Sequence, residues 1–201
     1  MNCILSKNLE LFQLRFPQLF DALNLEKYCE NDEGIMPAGC TLVTTKINSP
    51  SVKDNGILLH SLYDPIKESE KLLNSVDTEK DALVFYGFGL GYSLDLAAKK
   101  FPKKIIVLIE PDINYFLLAL NFYDWSKIFA HQNLICLINA SSKDVVSVEE
   151  KIGIDNCHFI SLQNHKAHNL PYFSAVEELT KRNREKKQIN ENTLEKFSKL
   201  W

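Results

Sequence analysis

The sequence predicts an α/β fold: a Rossmann-like parallel sheet with flanking helices, plus a small N-terminal α+β cap. Three observations carry that expectation. From Asp64 onward, helical patterns alternate with short apolar runs across brief connections, the pattern of a doubly wound parallel sheet. Runs such as "KIIVLIE" (Lys104–Glu110) are continuously apolar, as in strands covered on both faces. Three of the chain's seven glycines, Gly87, Gly89 and Gly91, fall between one such run and the next helical pattern.

In chain order, Leu9, Phe12, Leu14, Phe16, Leu19, Phe20 and Leu23 stand at helical spacing, and Pro17 divides them into two short helices or one kinked helix. "TLVTTKI" (Thr41–Ile47) and "GILLHSL" (Gly56–Leu62) read as strands, and "NSPSVKDNG" between them is dense in turn residues, so a hairpin or meander is expected. "DPIKESEKLLNSV" begins a helix with Asp64 as N-cap and Pro65 in its first turn. Then follow strand "ALVFYG", helix "GYSLDLAAKKF", strand "KIIVLIE", helix "INYFLLALNFYDWSKIF", strand "NLICLIN", helix "SKDVVSVEEKI" and strand "CHFISLQ". After Pro171 the pattern is helical to the end. The expected units are an N-terminal cap over 1–61, a Rossmann-like domain over 62–175, and a helical linker over 176–201. Leu194, Phe197 and Trp201 share a helical face, so the stripe is expected to continue into, or dock on, a further domain.

Composition narrows the function classes. A chain of 201 residues with 45% hydrophobic content supports one sizeable core. A net charge of -3 gives no electrostatic footprint for nucleic acid, and "KRNREKK" (Lys181–Lys187) reads as a solvated helix face. No apolar run approaches the roughly 20 residues that span a bilayer, so no membrane association is expected. The N-terminus carries charges within its apolar pattern and has no cleavage site, which reads as an amphipathic helix rather than a signal peptide. Cys3, Cys29, Cys40, Cys136 and Cys157 are odd in number and form no C-x-x-C pair; they read as reduced thiols of a cytoplasmic protein.

The glycine turn raises the question of a ligand. A strand-to-helix turn rich in glycine lets backbone N–H groups and the helix dipole face an anion. Glu110 closes the next strand 19 residues after Gly91, close to the spacing of about 20 expected for a ribose-binding carboxylate. Gly87, Gly89, Gly91, Tyr92 and Glu110 are therefore candidate cofactor-binding residues. Ser61 and Tyr63 join them, since a hydroxyl there suits a phosphate and a phenol ring suits stacking on a base. The form G-x-G-x-G-Y resembles the loop of S-adenosylmethionine-dependent methyltransferases. This chain departs from that family at Phe85, where an acidic residue is usual, and after the fourth strand, where "SLQNHKAHN" has no Asn-Pro-Pro-Tyr type motif. A nucleotide or nucleotide-sugar is thus favoured over S-adenosylmethionine, and the bland alternative is a loop whose glycines serve only a tight turn. The pair His165-x-x-His168 lacks further ligands at metal spacing, so no metal is expected. No catalytic residue is assigned.

Four stretches, "LHSLYDPIKESEKLL", "LVFYGFGLGYSLDLAAK", "IIVLIEPDINYFLLAL" and "NTLEKFSKLW", resemble the N-terminal region of bacterial motility-associated factors. The resemblance runs from about Gly56 to Trp201. It implies a role in flagellin glycosylation, by transfer of sialic-acid-like nonulosonic acids onto flagellin Ser/Thr. It also implies a following central domain, similar to sialyltransferases and to 6-hydroxymethylpterin pyrophosphokinases, that binds the nucleotide-sugar donor. On this resemblance the chain is an N-terminal domain with a recognition, scaffolding or auxiliary nucleotide-binding role. Its partners would be a C-terminal glycosyltransferase-like domain of the same protein and flagellin. Two alternatives stand beside it: a stand-alone nucleotide- or S-adenosylmethionine-dependent transferase, and an interaction domain with an empty glycine loop.

Overall fold

A computed structural model describes residues 3–29 and 35–198. Among the described residues there are two sheets. The larger is parallel, with β4 (Ala82–Tyr86), β5 (Ile105–Glu110), β6 (Leu134–Ile138) and β7 (Cys157–Ser161) in the spatial order β6-β5-β4-β7. Val84 pairs with Val107 on one side and with Phe159 on the other. The chain therefore leaves β4 toward β5 and β6, then returns to β4's free side as β7. The junction of β4 and β7 is the topological switch point, where such sheets open a crevice at their carboxyl ends.

The continuously apolar strands have the expected cause. Leu83 and Phe85 face one buried layer, and Ala82, Val84 and Tyr86 face another. The first layer is closed by α4 (Tyr92–Lys100), α5 (Ile113–Phe122) and α6 (Ser126–Phe129), and the second by α7 (Ser142–Ile152) and α9 (Leu170–Ser198). α1 (Cys3–Arg15) and α2 (Pro17–Ala22) are separated at Phe16, the residue before proline, which leaves the helical region at φ -134° and ψ 57°. The two helices belong to the first layer: Leu5, Leu9 and Phe12 are fully buried there with Phe116 and Trp125.

The smaller sheet is antiparallel, in the order β1 (Cys40–Thr44), β2 (Pro50–Asp54), β3 (Ile57–Leu58). Its middle strand lies inside "NSPSVKDNG", the segment dense in turn residues between the two expected strands. Ser51 and Val52 are buried while the turn residues fall outside the strand: Asn48 (φ 57°) precedes it, and Asn55 (φ 44°) and Gly56 (φ 93°) follow it. Asn-Gly with both φ values positive is the preferred two-residue hairpin turn. Val52 of this sheet and Leu59 just beyond it pack with Leu90, Tyr92 and Tyr115, so the sheet sits over the carboxyl end of the parallel strands.

Two other segments differ from expectation. The helix expected over "INYFLLALNFYDWSKIF" breaks at residues 123–125. Trp125 turns inward, its backbone N–H donating to Asn8 Oδ1 (2.9 Å) and its indole N–H to Leu90 O (3.1 Å). The turn-like "SLQNHKAHN" contains the short helix α8 (Gln163–His168). α3 (Pro65–Asn74) starts as expected, with Asp64 Oδ1 accepting from the N–H groups of Ile66 (3.0 Å) and Lys67 (2.9 Å). α9 packs on α7 until Lys187 reaches Asp155 (2.6 Å), and residues 188–190 beyond are exposed. Leu194 is exposed too; the side chain of Phe197, and Trp201 as a whole, lie outside what is described. Among the described residues no helix is long and apolar enough to cross a membrane.

Candidate functional site

The glycine turn connects β4 to α4 with Gly87, Gly89 and Gly91 at φ +72°, +58° and +108°. These values favour glycine, and the surroundings exclude anything larger. A Cβ on Gly87 would lie 2.8 Å from the ring of His165, and one on Gly89 would lie 2.2 Å from His60 Nε2. What approaches the loop so closely is the protein itself, in the space where a bound phosphate would be sought.

Both histidines accept hydrogen bonds from the loop. Gly89 N–H donates to His165 Nδ1 (2.8 Å), and Leu90 N–H donates to His60 Nε2 (2.8 Å). A nitrogen that accepts carries no proton, so each neutral ring holds its proton on the other nitrogen. His60 Nδ1–H donates to Glu68 Oε2 (3.3 Å), and His165 Nε2–H donates to Glu110 Oε2. Two glutamate–histidine pairs thus clamp adjacent amides. One comes from the segment joining the small sheet to α3, the other from β5 and α8.

Glu110, the candidate ribose partner, is fully buried, and its Oε1 accepts the N–H of Asp112 (2.8 Å). Both its oxygens are engaged within the chain. Tyr92 is equally committed: its hydroxyl donates to Pro50 O (2.7 Å), and burial pushes its pKa up to about 12. Burial lowers the pKa of His60, against the opposing pull of Glu68, which keeps the ring neutral and able to accept. Burial alone would raise the Glu68 pKa, but the His60 and Ser61 hydrogen bonds outweigh it and the net shift is downward.

The other two candidates lie elsewhere. Ser61 and Tyr63 line a cavity of about 740 Å³ between α3 and the β7–α8 turn. Lys67, Glu68, Lys71 and Gln163 share its lining, and none of the three loop glycines does. The candidates therefore divide between a filled crevice and an open cavity, and Glu68 is common to both. In the sequence His60 merely precedes Ser61, and His165 stands out only in the His165-x-x-His168 pair weighed as metal ligands. The two rings of His165-x-x-His168 part company. His168 stacks on Tyr115 (3.7 Å between centroids) and lies 3.2 Å from Asp54 and 3.5 Å from Asp112. Among the described residues no group of His, Cys, Asp or Glu is arranged to hold a metal ion.

A parallel sheet in this order, with a glycine turn at the switch strand and an antiparallel sheet over its carboxyl end, defines a Rossmann-like domain with a self-filled crevice. Residues 37–134 match the family described as "Glycosyltransferase Maf N-terminal domain", so this stretch is similar to the N-terminal domain of motility-associated factors. The match covers the small sheet, the glycine turn and Glu110. The chain is also 29% identical over 205 residues to an uncharacterized protein of Treponema pallidum, covering 98% of this chain and 68% of that one. Its fold is similar to that of the Maf glycosyltransferase from Magnetospirillum magneticum, with a TM-score of 0.53 and 16% identity. That likeness covers 76% of this chain and only 30% of the larger protein, and it speaks for the fold.

Proposed function

We propose that this chain is a non-catalytic recognition and scaffolding domain of a motility-associated factor. It works in the cytoplasm beside a C-terminal glycosyltransferase-like domain of the same full-length protein, with flagellin as the acceptor. One observation carries the reading. The amides of Gly89 and Leu90, which a Rossmann-like domain would offer to a ligand's phosphate, are held by His165 and His60, while Glu110 is turned inward. A nucleotide entering the crevice would have to displace two buried rings and leave both glutamates without those partners. The domain keeps the Rossmann-like frame and uses its interior for packing.

The competing reading, an auxiliary nucleotide site, makes the opposite forecast in one measurement. Titration calorimetry of the chain with CMP, other nucleotides and S-adenosylmethionine is expected to give no saturable heat. Saturable binding of any of them, weakened by Glu110→Gln, would replace the scaffolding role with nucleotide binding.

A further inference from the structure

The cavity beside α3 has no part in the role proposed above, and its polar groups are not used up by the fold. Lys67 and Lys71 stand one turn apart on the same face of α3. Among the described residues Lys71 makes no hydrogen bond or ion pair, and Lys67 has only a loose contact with Asp64 Oδ2 (3.9 Å). The Gln163 side-chain amide also has no partner among the described residues. Ser61 Oγ accepts the N–H of Tyr63 (3.2 Å), which leaves its own proton to donate. The cavity thus offers donors to an anion. It also holds carboxylate oxygens, Asp64 Oδ2 and Glu68 Oε1, that accept no hydrogen bond from the described residues.

These two sets of groups select against simple ligands. A bare anion satisfies the lysines but is repelled by the carboxylates. A neutral polyol satisfies the carboxylates but leaves Lys71 without a partner among the described residues. A molecule with both an anionic group and several hydroxyls satisfies them all. We propose that this cavity binds a small polyhydroxylated anion, of the class of a sugar phosphate or a sugar acid. Lys67 and Lys71 take the anionic group, and Asp64 and Glu68 accept from hydroxyls. Glu68 connects the occupant to the glycine turn, because its other oxygen holds His60, and His60 holds the Leu90 amide.

The test is a titration of the isotope-labelled chain with glucose 6-phosphate, glucuronate, glucose and inorganic phosphate, followed by amide NMR shifts. The expected result is saturable binding of glucose 6-phosphate or glucuronate, about tenfold tighter than glucose or phosphate, since one charge-assisted hydrogen bond is worth roughly that factor. The two successful arms separate a phosphate from a carboxylate as the anionic group. Lys71→Ala, an exposed substitution that suits a helix, is expected to weaken binding about tenfold without lowering the melting temperature. The Leu90 amide resonance is expected to move with occupancy. No binding by about 10 mM, equal binding of inorganic phosphate, or an affinity unchanged in Lys71→Ala would overturn the site. A Leu90 amide that stays still at saturation would overturn its link to the turn. CMP also carries a phosphate and hydroxyls, so any heat it gives is assigned by variant: heat lost in Lys71→Ala belongs to this cavity and heat lost in Glu110→Gln to the glycine crevice, and the two proposals fail separately.

Discussion

Glu110–His165 and Glu68–His60 hold neighbouring amides of one turn, yet they differ in what surrounds them. Glu110 is 0% exposed and His165 1%, whereas Glu68 keeps 33% of its side chain exposed beside a buried His60 (1%). In the first pair no water can replace a lost partner. In the second, the glutamate lies in a cavity wall, where solvent or a ligand reaches it. The same chemistry thus serves as a fixed buttress at Gly89 and as an addressable contact at Leu90. Burial, rather than residue type, makes the distinction.

The contrast is broken most directly by removing each carboxylate. Glu110→Ala leaves His165 Nε2–H and the Asp112 N–H without acceptors in a dry interior and is expected to cost about 4 kcal/mol. Glu68→Ala also removes the acceptor of two donors, His60 Nδ1–H and Ser61 N–H, but on the cavity side water substitutes. Its expected cost is about 2 kcal/mol or less. Urea denaturation of both variants measures the difference. Equal losses would mean that the two pairs are the same device and that the exposure of Glu68 is irrelevant.

The sequence made one half of this site visible and hid the other. The parallel strands were legible because burial on both faces imposes unbroken apolar runs, and Glu110 because it ends one of them. The loop glycines were legible because a positive φ between strand and helix leaves few other residues possible. The occupants of the crevice were not legible. His60 arrives from the edge of the small sheet and His165 from α8, and no local period connects either ring to the loop. β2 was hidden for a related reason: its Pro, Ser and Asp are common in turns, and only its pairing with β1 and β3 makes it a strand. The break before Trp125 depends on Asn8 and Leu90, both far away in the chain.

Acidity offers the gentlest way to sharpen the contrast, because the Leu90 clamp requires an unprotonated His60 Nε2. Burial holds the folded pKa of His60 below the ordinary value of 6.5, while the unfolded chain takes up its proton near that value. Within that window the unfolded state binds more protons than the folded one. Stability from this group is therefore complete above pH 6.5 and falls as the pH drops toward the folded pKa. Glu68 acts in the same direction at lower pH. Its folded pKa lies below the ordinary 4.5, so its contribution is present above that value and is lost as the pH falls through the folded one. For His60 alone the loss sets in as the pH falls through 6.5. The check is the difference between wild type and His60→Gln, whose side chain can still accept from Leu90 and donate to Glu68 but does not titrate. Denaturation of the pair as the pH falls below 6.5 is expected to show the steeper decline in the wild type. Parallel pH profiles would mean that His60 is not the titrating half of the addressable clamp.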